Sequence, residues 1–212
     1  MIVERYVIKE QQQLVGGFVF LNKEQIEKLH KNLFKLEFEN LYANIAVGLY
    51  DAGYIKDSDV ADLNLNQVIL DLKHYLANKS RYKESETSFN EFKFYVNGFF
   101  GKLYNKSFNT ANIIVLYMWT FYQELLEQTT NIIHIDTDAI IYKDSLPQEL
   151  FEELGLKYTI TQVDYLYFIK KKTYIKSHNN EYKVYGREDK AHIDRFKGLI
   201  REERINEIFD EN

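Results

Sequence analysis

The chain has 212 residues and a net charge of −5, with 45% hydrophobic and 16% aromatic residues and no cysteine. A chain of this size and composition buries enough apolar surface to fold without staples, and the lack of cysteine excludes disulfides, thiolate metal sites and a cysteine nucleophile. The charge excludes a protein that coats nucleic acid through bulk positive charge; no apolar run approaches the ~18 residues of a membrane span, and the start MIVERYVIKE has no signal-peptide pattern, so a soluble, cytoplasmic chain with no membrane partner is expected.

Residues 2–8 are β-rich, and Gly16 and Gly17 break the chain before a short strand over 18–21. Ile26, Leu29 and Leu33 recur at helical spacing, which predicts a helix over 23–33. Residues 33–38 read as a strand feeding a helix over 40–50 that ends near Gly53. A helix over 60–76 breaks around Asn78. Ser88-Phe89-Asn90-Glu91 has the form of a capping box and is expected to open a helix running to about Tyr104. Residues 109–128 form a long apolar helix. The period then shortens. Residues 132–135 and 139–142 are two β runs around Asp136-Thr137-Asp138, a hairpin. Pro147 introduces a helix over 148–154. Residues 158–168, 173–177 and 182–185 read as strands, the last two joined at Asn179-Asn180, and a helix over about 201–209 closes the chain. With no repeat or linker, the sum is an α+β fold in a single domain over 1–212, an antiparallel sheet with helices mainly on one face.

Four patterns carry chemistry. In Ile135-Asp136-Thr137-Asp138-Ala139, two carboxylates at i and i+2 sit at a hairpin tip, and alternation along a strand would turn both toward one hard cation. In Leu36-Glu37-Phe38-Glu39-Asn40-Leu41-Tyr42, a carboxylate ends an apolar strand just before a helix start, whose amides suit phosphate. Lys93, Asn97 and Phe100 share one helical stripe with Gly101 beside it, giving a phosphate-seeking ammonium and a position of close approach. Lys170, Lys171 and Lys172 precede Tyr174, with Lys172 and Tyr174 expected on one strand face, and Lys176, Lys183, Arg187, Lys190, Arg195, Lys197 and Arg201 follow. Taken singly, these patterns equally fit an Asp-rich turn, a helix cap, an amphipathic helix and a solvated basic strand.

Taken in order, they resemble the motifs of family-B DNA polymerases, most nearly the protein-primed branch of small phages and linear plasmids. Residues 37–45 (EFENLYANI) are similar to motif A, 93–101 (KFYVNGFFG) to motif B, 134–139 (HIDTDA) to motif C, and 172–174 (KTY) to the Lys-x-Tyr element that grips the primer. Residues 14–17 (LVGG) stand where the branch has a Tyr-x-Gly-Gly template contact. The sequence departs from these patterns at Glu37 for Asp, His134 for Tyr, Ala139 for Ser, Gly98 and Phe100 for Ser and Tyr, and Leu14 for Tyr.

The resemblance implies a polymerase-type palm with short helical fingers over about 45–105 and a rudimentary thumb-like segment over about 178–212. It implies template-directed deoxynucleotidyl transfer; with no exonuclease segment before Leu14, proofreading is expected to be lacking. Glu37, Asp136 and Asp138 would be the catalytic ligands of two Mg²⁺ or Mn²⁺ ions. Asn40, Leu41, Tyr42, Arg81, Lys83, Lys93, Asn97, Phe100 and Gly101 would meet the nucleotide, with Tyr42 excluding a 2′-hydroxyl. Gly16, Gly17, Lys170, Lys172 and Tyr174 would meet DNA. The implied partners are primer-template DNA, a deoxynucleoside triphosphate and a terminal protein or separately encoded exonuclease or thumb subunit. The alternatives are a non-catalytic palm-like module of a replication complex and one subunit of a split polymerase.

Overall fold

Along Leu29–Phe38 the residues Leu33, Lys35 and Glu37 alternate with Phe34, Leu36 and Phe38, the two-residue period of a strand with both faces in use. This strand, β2, pairs antiparallel with β4 (Ala139–Tyr142) on one side and β5 (Tyr158–Lys170) on the other. Beyond β4 lie β3 (Ile132–Asp136) and β1 (Val19–Leu21); beyond β5 lie β6 (Thr173–His178) and β7 (Glu181–Tyr185). The seven strands run in the order β1-β3-β4-β2-β5-β6-β7, each antiparallel to its neighbours. The expected α+β class with an antiparallel sheet is the fold observed. The computed structural model describes residues 17–60, 63–82, 84–147, 149, 151, 155–179, 181–187 and 189–210. Gly16, Lys83, Asn180, the expected strand over 2–8 and most of the expected helix over 148–154 lie outside the described residues.

The described residues form two compact units, one holding those of 18–39, 126–147 and 157–210, the other those of 40–125 with Gly17 and those of 149–156. In the first, the sheet buries a cluster on each face. Leu33, Ile133, Ile141, Val163, Leu166, Phe168 and Tyr174 pack together on one face. On the other, Tyr165, Tyr167 and Ile175 are covered by Ile193 and Phe196 of the closing helix α6, Lys190–Asp210. That helix starts well before residue 201, because Ile193, Phe196, Leu199 and Ile200 make an apolar stripe on the sheet.

The second unit is helical: α1 (Leu41–Asp51), α2 (Leu65–Ala77), α3 (Lys79–Tyr82), α4 (Glu86–Lys106) and most of α5 (Phe108–Gln128). Leu65, Ile69 and Leu72 are the buried stripe of α2, and the Asn64 side chain caps its first turn by accepting from the Gln67 N–H at 3.0 Å. Phe92, Val96, Phe99 and Leu103 are buried along α4. No helix among the described residues is long and apolar enough to cross a membrane.

Two local expectations fail for identifiable reasons. Instead of a helix over 23–33 there is one 3-10 turn, Lys23–Gln25, with β2 beginning at Leu29. Glu27 adopts a φ of 57° and donates its N–H to the Phe168 carbonyl at 2.8 Å, so the chain leaves helical geometry and joins the β5 ladder. The helical spacing of Ile26, Leu29 and Leu33 is thus overridden by strand pairing. The pattern 88–91 does not cap a helix start either, since α4 already runs from Glu86.

Gly186 is held at a φ of 81°, and a β-carbon there would meet Thr173 Oγ1 at 2.6 Å and the Lys172 carbonyl oxygen at 2.7 Å. Gly186→Ala is therefore expected to cost about 2 kcal/mol or more, lowering the thermal midpoint by roughly 4–8 °C. Gly53, with a φ of 78° and open space around it, is the control. Calorimetry should show Gly53→Ala with a clearly smaller loss; equal losses would show that the contact with the Lys172–Thr173 backbone is not what requires glycine.

Candidate acidic site at one end of the sheet

Glu37, near the end of β2, stands opposite Ala139 of β4 and Thr159 of β5. Asp136 ends β3, opposite Ala139 on one side and Val19 of β1 on the other. The Asp138 carbonyl accepts from the Phe38 N–H at 2.8 Å, tying the hairpin tip to the end of β2. Three carboxylates thus leave the same end of three adjacent strands.

The tip itself is tight. The Asp138 N–H donates to the Asp136 carbonyl at 2.8 Å across Thr137, whose φ is 60°. A positive φ at a β-branched residue in an i to i+2 turn is a strained geometry, of order 1–3 kcal/mol. It is held by the Thr137 N–H, which donates to the Phe18 carbonyl at 2.8 Å, and by the Thr137 hydroxyl, which donates to Asp136 Oδ1 at 3.3 Å. Asp138 therefore leaves from a turn, so strand alternation does not set the two aspartates' directions as the sequence pattern suggested.

The electrostatics follow from this crowding. The Asp138 carboxyl is held above the usual carboxylate range, first by the burial of its inner side and then by the neighbouring Glu37 and Asp136 charges; its own N–H and Lys35 oppose the rise. Its outer side is exposed to solvent. Lys35, 6% exposed, donates from Nζ to Glu37 Oε1 at 2.5 Å. Lys172 Nζ lies 3.6 Å from Asp136 Oδ1. Two of the three acids are thus balanced by lysines, and among the described residues no three acidic or imidazole groups form a ready-made cation cage. The donor set nonetheless suits a hard divalent cation, since carboxylate oxygens are what Mg²⁺ or Mn²⁺ takes.

Behind the acids the site is aromatic. His134 is buried, with Nδ1 2.6 Å from the Phe20 carbonyl and its ring against Phe168 and Tyr174. Burial holds its imidazole below the usual range, so it sits neutral, donating from Nδ1–H. Tyr174 is buried and stacks on Tyr185 with centroids 4.5 Å apart; burial, then Tyr185 and the acids, push its hydroxyl far up. Lys172 lies in the β5–β6 turn with a φ of 62°, so it does not share a strand face with Tyr174. Lys170 is the last residue of β5 and is exposed.

The nucleotide-side candidates lie in the helical unit. Asn40 is the N-cap residue of α1, in left-handed geometry and without a side-chain cap, while Leu41 is buried and offers only its backbone there. The rings of Tyr42 and Phe100 meet edge to face at 5.3 Å, so the structure brings these two together. Lys93 is exposed on α4, and Arg81 is exposed on α3. The Asn97 side chain lies outside the described residues. A β-carbon at Gly101 would meet nothing within 4 Å, so no protein contact demands glycine there. Gly17 stands just before β1. Lys35 and Gly186 are the residues the motif reading missed. Lys35 was within reach of it, since strand alternation puts Lys35 on the face of Glu37.

The fold is similar to that of part of several family-B DNA polymerases. Among solved structures, the family B DNA polymerase from the hyperthermophilic archaeon Pyrobaculum calidifontis is similar at a TM-score of 0.57 and 15% identity, over 93% of this chain and 35% of that one. Phi29 DNA polymerase complexed with primer-template DNA and incoming nucleotide substrates is similar at a TM-score of 0.56 and 13% identity, over 86% of this chain and 55% of that one. Its complex with single-stranded DNA aligns over the same shares at a TM-score of 0.54 and 13% identity. The chain thus spans between about a third and about half of these polymerases. No protein-family model and no curated protein matches the sequence.

An acid whose folded pKa is raised stabilises the fold most when protonated, so stability falls as pH rises through the ordinary carboxylate value toward the raised one. At neutral pH the ionised Asp138 is thus a cost. Asp138→Asn should raise the thermal midpoint at pH 7, without divalent cations, by about 1–2 °C, and the difference should vanish below about pH 4. A lowered midpoint at pH 7 would show that Asp138 is not repelled by Glu37 and Asp136.

Proposed function

We propose that this chain carries out template-directed deoxynucleotidyl transfer as a family-B-type DNA polymerase domain. One observation carries the proposal: Glu37, Asp136 and Asp138 leave one end of three adjacent strands, close enough for Glu37 and Asp136 to raise the Asp138 carboxyl, on a polymerase-like fold. In this reading Glu37 and Asp138 are the main ligands of two Mg²⁺ or Mn²⁺ ions and Asp136 borders them. When bound, the ions supply activation of the primer 3′-hydroxyl and charge stabilisation at the α-phosphate.

The chain's own groups do the rest. The Lys35 ammonium fixes the Glu37 carboxylate at the strand end. Lys172, beside Asp136, is assigned to a primer phosphate by the motif resemblance. Tyr42, supported by Phe100, supplies the bulk that rejects a 2′-hydroxyl. Lys93 is assigned to the triphosphate by the motif resemblance. Primer-template DNA and deoxynucleoside triphosphates are the proposed partners, with a terminal protein or separately encoded exonuclease or thumb subunit joining them.

A second reading, a non-catalytic module that holds primer-template, is favoured by the pairing of Glu37 with Lys35 and of Asp136 with Lys172. Primer extension with Mg²⁺ and with Mn²⁺ separates the two. Wild type is expected to extend, Glu37→Ala to fall below detection, and Glu37→Asp to slow on the order of a hundredfold, because a displacement near 1 Å has that effect. Equal rates in all three would remove Glu37 from the site. Absence of extension by wild type, with DNA binding intact, would establish the binding module.

A further inference from the structure

Across β6 and β7, Tyr174 stands opposite Tyr185 and Lys176 opposite Lys183, all four on one face of the sheet. The two rings stack at 4.5 Å with an interplanar angle of 11°. Lys183, Lys176 and Lys35 bring their ammoniums to 5.3, 5.6 and 5.9 Å from the centroid of Tyr185. Lys35 has Glu37, but among the described residues neither Lys176 nor Lys183 meets a carboxylate.

Like charges directly opposed on neighbouring strands destabilise a sheet, and cation–π contact with one shared ring offsets that only in part. The chain's net charge is −5, so bulk basicity does not account for cations gathered here. An anion bridging Lys176 and Lys183 would relieve the repulsion, and the half-buried Tyr185 ring beside it, backed by the buried Tyr174, gives a sequence-tolerant contact to sugar or base. Lys172 and the acids at the strand ends are near neighbours: Tyr174 feels the Asp136, Glu37 and Asp138 charges, and Lys172 reaches Asp136.

We propose that Lys176 and Lys183, flanking the Tyr174–Tyr185 stack, form a phosphodiester platform that holds a nucleic-acid strand next to the acidic end. The inference deepens the polymerase reading, in which that strand is the primer behind its 3′ end. The platform itself needs no divalent cation, so its binding is measurable when the acidic site is empty.

The test is fluorescence anisotropy with a labelled single strand and a labelled primer-template, in chelator, on the full chain. Lys176→Gln/Lys183→Gln is expected to weaken binding about tenfold at low salt. It should also flatten the slope of log K against log salt by roughly 1.4 on the single strand and 1.8 on the duplex, the value for two phosphate contacts. Lys176→Arg/Lys183→Arg should retain both. Lys197→Gln, on α6 over the opposite face, should change little. The Gln pair should keep or raise the thermal midpoint, because it removes a like-charge contact, which separates lost binding from lost fold. An unchanged slope, an equal loss in Lys197→Gln, or a Gln pair that weakens nucleoside triphosphate binding but leaves the strand untouched would overturn the platform. Because chelator is present, failed primer extension with this binding intact would refute only the catalytic reading.

Discussion

Carboxylates placed on the ends of adjacent strands repel one another at a few ångströms, and this charge must be balanced wherever the sheet puts it. Here the pairing of β2 with β4 and the hairpin of β3 with β4 fix the positions of Glu37, Asp136 and Asp138 through backbone hydrogen bonds that no side-chain rearrangement undoes. The lysines beside them are the response. Lys35 is buried against Glu37, and Lys172 is brought to Asp136 by a turn whose closeness Gly186 permits. Asp138, which has no lysine of its own within bonding distance among the described residues, carries the residual strain as a raised carboxyl and sits behind a Thr137 forced to positive φ.

This arrangement gives the longer acid at Glu37 a physical setting. Lys35 and Glu37 stand two residues apart on one strand face, and the glutamate's extra methylene lets its carboxylate meet an ammonium that is itself anchored under the sheet surface. The pair holds the carboxylate in place and also competes with any other cation for it. The aromatic residues behind, His134, Phe168, Tyr174 and Tyr185, give these charges a low-dielectric floor, which strengthens every interaction above it.

Much of this was legible in the sequence, for reasons that can be named. The hairpin over 132–142 was clear because β-branched residues flank a two-acid tip, and the strand into α1 because an apolar run meets an Asn-Leu-Tyr start. The run over 23–33 was misread because the spacing of Ile26, Leu29 and Leu33 serves a helix as well as a strand, and only the ladder with β5 decides between them. The length of α6 was missed because its apolar stripe is interleaved with charge. The burial of Tyr174 was not legible because it comes from Tyr185 and Phe168, neighbours that no local pattern announces. Lys172 read as a strand residue because the two-residue turn between β5 and β6 contains no glycine, asparagine or proline to mark it.

The central claim is that Glu37, Asp136 and Asp138 share a divalent cation although lysines now balance two of them. It is tested most directly by anomalous diffraction from crystals of the chain soaked in Mn²⁺. The account predicts a peak within bonding distance, about 2.0–2.4 Å, of the Glu37 and Asp138 carboxylates, with the Lys35 ammonium displaced from Glu37. No peak at these carboxylates at saturating Mn²⁺, with the Lys35–Glu37 pair intact, would contradict it.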